Sequence, residues 1–307
     1  MENKRNLWTK IKLQKYLLLM LAPTVLFVAV FNYAPLYGWA MAFTNYKVGH
    51  PILSGEFTGL LQFRRLFFDS TDLVYLLRNT LVINIVTVVN NLLFAVIFAI
   101  LLKEFQWKFG ARAVQTVSFF PYFISWAISY SVVAALLSVN SGLVNRLLMD
   151  AGILTRGMNF LGAPEYSWGL MIILNMWKWT GYNTIIFVAS LSGIADELYE
   201  SASLDGADRF QKIIYITVPH LLPTLSIMLI LNSGWVFTNN LDQFFIFTNS
   251  TNWERMEVID MYIYKYGLKL LDFPYATAVG ILKSIVSLML LFVVNKVVKK
   301  LGETSLF

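Results

Sequence analysis

The chain has 307 residues, of which 57% are hydrophobic, 16% aromatic and only 14% charged, with a net charge of +6. A soluble domain carries roughly 25% charged residues, so this deficit, with apolar runs reaching the roughly 20 residues that cross a bilayer, excludes a soluble core and points to one polytopic membrane domain. There is no cysteine, which excludes disulfides and thiolate metal sites, and the basic residues form no continuous stripe, so no nucleic-acid surface is expected.

The expected fold class is all-α, with six membrane spans. The basic segment 1–15 precedes an apolar run that is too long for a signal peptide and lacks a small-residue cleavage site, so a retained first span is predicted over 16–37. The second span is predicted over 79–102 and the third over 113–137, kinked near one end by Pro121. The fourth covers 168–190 and contains "MIILNMWKWTGYNTIIFVAS", in which Asn175, Trp177, Lys178, Trp179, Tyr182 and Asn183 interrupt an apolar element. The fifth covers 221–243 and contains "LNSGWVFTNNLDQFF", with Asn232, Trp235, Asn239, Asn240, Asp242 and Gln243. The sixth covers 276–297 and contains Lys283 on the outer side of its middle, where snorkelling accounts for it.

Lys and Arg set the orientation. With the N-terminus inside, segments 1–15, 103–112, 191–220 and 296–307 hold 13 basic residues in 67 positions, against 9 in 103 for the segments outside. Both termini are therefore expected in the cytoplasm, with a permease domain over 16–298 and a tail over 299–307.

One inside segment, 191–220, breaks this pattern. It contains "ELYESASLDGADRFQKIIYITVP" and is net acidic. Asp196 suits an N-cap, and acids at 196, 197 and 200 suit the positive end of a helix dipole. Asp205-Gly206 ends that helix, since glycine readily takes the left-handed geometry of a helix C-terminus. A second helix is predicted from Asp208, with Phe210, Ile213, Ile214 and Thr217 on one face toward the bundle. Ser201, Ala202, Gly206 and Ala207 are small and allow close approach by another surface. On these grounds alone an ordinary interfacial helix and a docking arm are equally good descriptions.

The stretch resembles the cytoplasmic signature of permeases of ATP-binding-cassette importers, which runs Glu-Ala-Ala, three residues, Gly, nine residues, Ile, one residue, Leu-Pro. Here it reads Glu200-Ser201-Ala202, Gly206, Ile216, Val218-Pro219, with Ser for Ala and Val for Leu. "YAPLYGWAMAFTNYKVG", "FFPYFISWAISYSVVAALLS", "NSGLVNRLL" and "FPYATAVGILKSIVSLMLLFVVNKVVKKLGETSLF" resemble the oligosaccharide subgroup typified by LplB, related to the maltose-type permeases.

The resemblance implies a type I importer fold in which the arm is a coupling helix docked in an ATPase subunit. Glu197, Glu200, Ser201, Ala202, Asp205, Gly206 and Ala207 are its contact candidates. It also implies a second homologous permease subunit, two ATP-binding subunits that hold ATP and Mg, and an extracytoplasmic solute-binding protein; this chain itself is expected to hold no cofactor. The polar and aromatic residues of spans four and five then suit an oligosaccharide path, since aromatic faces stack on sugar C–H surfaces and amides bond hydroxyls. Interfacial belts and interhelical hydrogen bonds account equally for any one of them. Lys178 fits a pair with Asp242 or with the carboxylate of an acidic sugar. No G-x-x-x-x-G-K-[ST], H-E-x-x-H or G-x-S-x-G motif occurs, so an enzyme is not expected. The alternative is an ion-coupled secondary transporter, which would show internal repeats; none is found.

Overall fold

The computed structural model describes residues 12–300 and 302. They are helical almost throughout, and among them the only bridge between extended segments pairs Thr44 with Phe57. The chain divides into two compact units, one from residues up to Asp69 with Lys265–Ile281, the other from Ser70–Tyr264 with residues from Leu282 on.

In the first unit, α1 (Lys15–Phe43) begins as a regular α-helix, widens into a π turn at Ala29–Tyr33 and tightens to a 3-10 helix from Ala34. Pro35 follows that turn directly. It cannot donate to the carbonyl four residues back, and its ring crowds that carbonyl, so the ladder changes pitch there. No side chain from Lys15 to Val28 is buried. A small core of Ala42, Ala278 and Ile281, with Phe43 and Phe63, closes the unit. Beside it Arg65 donates to Asp272 at 2.6 Å and lies 4.2 Å from the Tyr275 ring centre. Burial works against the Arg65 charge, but the hydrogen bond and charge of Asp272 outweigh it and hold its pKa above the ordinary value.

The second unit contains α2 (Asp72–Glu104), α3 (Lys108–Phe123), α4 (Trp126–Leu137), α5 (Leu143–Asp150), α6 (Pro164–Leu191), α7 (Asp196–Leu204), α8 (Arg209–Ser233), α9 (Leu241–Phe247) and α10 (Ile259–Tyr264). The last helix, α11 (Phe273–Lys300), enters it from Leu282. α2 and α6 pack along their length, with Ala95 and Ala99 fully buried and Thr184 Oγ1 donating to the Ala95 carbonyl at 3.4 Å. Such small residues let two backbones approach closely. Two apolar clusters flank this pair, one around Trp126, Met171 and Phe247, the other around Leu92, Phe187 and Leu221.

Among the described residues four helices, α1, α2, α8 and α11, are long and apolar enough to cross a membrane, and α3 with α4 makes a fifth if the bent pair is one span. α6 has 28 residues, or about 42 Å of helix, enough for a hydrocarbon core of roughly 30 Å. Its polar middle lowers its hydropathy, and that same middle is what faces its neighbours. The six expected spans thus correspond to six helical segments with changed limits.

The third predicted span departs most. It is two arms bent by 105° at a break rather than one kinked helix. Pro121 supplies no donor, Ile124 is extended at ψ 130°, and Ser125 restarts the helix by accepting from the Ile128 N–H. Lys178 Nζ donates to the Ile124 carbonyl and, at 3.2 Å, to the Pro121 carbonyl, which also accepts the Ile124 N–H. Gly181 permits the contact, because a Cβ there would lie 2.0 Å from the Ser118 oxygen.

The fifth span also differs. α8 stops at Ser233, short of the predicted 243, and residues 234–240 are not regular helix before α9 begins. Asn232 Nδ2 bonds back to the Met228 carbonyl at 2.7 Å and Ser233 Oγ to Ile230 at 2.7 Å. These local bonds compete with the helix ladder just where Gly234 weakens it.

Candidate functional site

A cleft of about 510 Å³ opens among α2, α6, α8 and the 234–240 break. α6 contributes Asn175, Trp179, Tyr182 and Asn183, which recur at helical spacing on one face. α8 and the break contribute Asn232, Trp235 and Asn240, and α9 contributes Gln243. The structure brings these eight predicted residues together with Asn84, Thr87 and Asn91 of α2, which the sequence reading missed. The signal was available: three polar residues spaced by three and four within "VINIVTVVNN" mark one face of an otherwise apolar helix.

The amides form a chain. Asn91 Nδ2 donates to Asn175 Oδ1 at 3.1 Å, Asn175 Nδ2 to Gln243 Oε1 at 3.3 Å, and Gln243 Nε2 to the Met171 carbonyl at 3.3 Å. Thr87 Oγ1 and Asn91 Oδ1 are buried without a partner in the protein. An unsatisfied buried polar atom costs roughly 1–3 kcal/mol, so this wall carries acceptor capacity that the protein itself does not fill. Tyr182 stacks on Tyr122 with centroids 4.4 Å apart, and Trp179 meets both edge-on at 5.7 and 5.1 Å. Trp235 is 68% exposed. No Asp, Glu, Lys, Arg or His lines the cleft.

Three predicted residues do not line it. Trp177, two positions from Asn175, points roughly 200° around α6 and lines an apolar groove with Thr116 and Pro121. Asp242 is exposed in the first turn of α9. Asn239 sits behind the wall, its Nδ2 donating to Asn84 Oδ1 at 3.1 Å and its backbone N–H to Asp260 Oδ2 at 2.6 Å. The two lysines are also corrected. Lys178 serves the α3–α4 bend rather than Asp242, and Lys283 does not snorkel: it pairs with Asp260, the side chains being 16% and 18% exposed.

At another end of this unit lies the acidic arm. α7 has Ala195 as its N-cap and Asp196 as its first helical residue, so Asp196 does not cap, although Asp196 and Glu197 do occupy the first turn. The helix closes in a Schellman motif. Gly206 N–H bonds to Ser203 O at 3.2 Å and Ala207 N–H to Ala202 O at 2.8 Å, with Gly206 at φ +81°. Asp208 then opens α8 through a reciprocal capping box with Gln211.

Glu197, Glu200, Ser201, Asp205 and Gly206 are exposed, while Ala202 and Ala207 are half-buried. Tyr199 fixes the arm, its hydroxyl taking a hydrogen bond from Lys103 Nζ at 3.0 Å and meeting Thr217 Oγ1 at 2.9 Å. Arg209 pairs with Glu104, and Lys212 Nζ donates to Ser203 Oγ at 2.6 Å. The predicted inward face is only partly realised: Thr217 is buried, but Phe210 and Ile214 are 74% and 56% exposed. A π turn at Ile213–Thr217 inserts extra length and breaks the i, i+3, i+4 spacing that was assumed.

The family described as "Binding-protein-dependent transport system inner membrane component" matches residues 91–302. The chain is 35% identical over 306 residues to the polygalacturonan/rhamnogalacturonan transport system permease protein YteP of Bacillus subtilis (strain 168), covering 100% of this chain and 94% of that protein. It is 34% identical over 301 residues to LplB of the same organism, covering 97% and 92%. A solved bacterial alginate ABC transporter, in complex with alginate pentasaccharide-bound periplasmic protein, contains a chain similar to this one at TM-score 0.88 and 32% identity, covering 98% of this chain and 99% of that one. The cleft set in broken helices, the capped arm away from it and these likenesses agree, and the chain belongs to the inner-membrane permease family of binding-protein-dependent importers, as a transport subunit of type I fold rather than an enzyme.

Proposed function

We propose that this chain forms half of the transmembrane path of an ATP-driven importer that carries an oligosaccharide across the cytoplasmic membrane by alternating access. The observation that carries this is the uncharged cleft of amides and aromatic rings at the middle of otherwise apolar helices. Amides exchange hydrogen bonds with hydroxyls, and Trp179, Tyr182 and Trp235 offer flat faces to sugar rings. The relatives named for pectic and alginate polysaccharides support that substrate class.

A second permease subunit supplies the other half of the path, and two ATP-binding subunits hold ATP and Mg. An extracytoplasmic binding protein delivers the sugar. Both termini face the cytoplasm, so that the 191–220 loop meets the ATPases, with segments 1–15 and 299–307 flanking a permease domain over 16–298. Within the loop, Glu197, Glu200, Ser201, Ala202, Asp205, Gly206 and Ala207 form the docking arm. The Lys103–Tyr199–Thr217 and Glu104–Arg209 contacts tie that arm to α2 and α8, so that movement of the arm is passed to helices lining the cleft.

The test is ATPase activity of the assembled transporter across an oligosaccharide panel with its binding protein present. Asn183→Ala and Trp235→Ala are expected to lower oligosaccharide-stimulated turnover and uptake by about tenfold, from the loss of buried hydrogen-bond and stacking contacts. Unaltered uptake in both variants refutes the path.

A further inference from the structure

The break between α8 and α9 gives the cleft Trp235, Thr238 and Asn240, yet residues 234–240 have no regular helical ladder to hold them. Turn bonds from the Trp235, Val236 and Thr238 N–H groups to carbonyls three residues back shape it locally, and three further hydrogen bonds tie it to its surroundings. Asp260 Oδ2 accepts the Asn239 backbone N–H at 2.6 Å, Asn239 Nδ2 donates to Asn84 Oδ1 at 3.1 Å, and Asn84 Nδ2 donates to the Val236 carbonyl at 2.6 Å. Asp260 is itself paired through Oδ1 to Lys283 of α11. A carboxylate this enclosed is costly unless neutralised and fully bonded. Here one oxygen meets a cation and the other a backbone donor. Both ions lie outside the cleft lining, so neither reads a substrate directly.

We propose that the Asp260–Lys283 pair is the positioning element of the translocation path: it locks the unwound break, through the Asn239 N–H, in the shape that presents Trp235, Thr238 and Asn240 to the cleft. This rests on the cleft being the oligosaccharide path. In mechanical terms, α11 and α10 set the form of the wall that α8 abandons. A helix that is broken for access needs an external brace for its free backbone groups, and the brace is attached to the last span rather than to the broken one.

The chain has no cysteine, so a single Thr238→Cys reporter in the assembled transporter, in membranes, reads the break through its rate of reaction with a water-soluble maleimide. Removing one ion alone leaves the other half-buried and unpaired, whereas removing both keeps the site neutral, so double variants are used. Asp260→Ala/Lys283→Met is expected to raise the labelling rate by about tenfold or more, the ratio that a hydrogen bond to a charged group supports. Asp260→Asn/Lys283→Met keeps an oxygen for the Asn239 N–H and is expected to stay within about twofold of the parent. Should the alanine pair not accumulate, Asp260→Ser/Lys283→Met, whose shorter hydroxyl does not reach Asn239, takes its place. Equal rates in the parent and in the acceptor-free pair overturn the proposal, as does failure of the asparagine pair to restore the parent rate. Asn183→Ala and Asn232→Ala separate the two ideas: a labelling change with uptake insensitive to both amides keeps the brace and refutes the path.

Discussion

Gly206 offers a way to measure the partner of the acidic arm through this chain alone. It has φ +81°, and an ideal Cβ built on it meets no heavy atom of the protein within 4 Å. Alanine at this position therefore incurs only the left-handed backbone cost of roughly 1–2 kcal/mol per non-glycine residue. Tryptophan incurs the same backbone cost, and its Cβ also meets open space. A further loss of uptake with Gly206→Trp, at an unchanged amount of subunit in the membrane, is the signal expected of a surface outside the chain. Gly206→Ala is expected to weaken the Schellman closure by that backbone amount and to lower uptake by about 30-fold at most. Gly206→Trp is expected to abolish uptake while the ATPase subunits, where still bound, hydrolyse ATP without stimulation by loaded binding protein. The assay pairs uptake in membrane vesicles with stimulated ATPase, normalised to the amount of subunit in the membrane. If Gly206→Trp and Gly206→Ala support the same uptake, nothing docks within reach of residue 206 and the arm is an ordinary interfacial helix.

Two further substitutions test the scaffold. Lys178→Met leaves the carbonyls of Pro121 and Ile124 without their ammonium donor and is expected to cost about 2 kcal/mol, read as a fall of several degrees in thermal unfolding in detergent, with Lys178→Arg recovering part of it; an unchanged transition refutes the bend-capping role. Tyr199→Phe keeps the ring against Lys103 but removes the contacts to Lys103 Nζ and Thr217 Oγ1, a loss of about 1–2 kcal/mol. Amide exchange in 196–208 is expected to quicken about tenfold while α2 and α6 stay protected, and uniform exchange across all three regions refutes the tether.

The elements legible in the sequence were those written by local chemistry. Asp205-Gly206 marks a helix end because only a left-handed residue closes it cheaply, and Asp208 with Gln211 three positions later spells a capping box. The polar residues of α6 announced a face because their cost in an apolar helix demands a use. What escaped was set by contacts distant in sequence. The 105° bend needs Lys178 to satisfy carbonyls more than fifty positions away. The end of α8 at Ser233 needs Asp260 and Asn84 to receive the released backbone. Lys283 looked like a snorkelling residue because its acid lies 23 positions back on another helix. The faces of short helical stretches were the least legible: Phe210 is exposed, and Ile213–Thr217 forms a π turn where regular i, i+3, i+4 spacing was assumed.

That inserted residue also defines where the chain tolerates a change of length. In a regular helix each residue adds 1.5 Å and about 100°, so deleting one from Val218–Ser233 would twist the arm about 100° away from the surface it serves. Deleting one from Ile213–Thr217 converts the wide turn to an ordinary one and leaves the helix on either side facing as before. The turn acts as a slack link between the acidic arm and the membrane span, a place where insertions and deletions of a single residue are absorbed without re-aiming the arm.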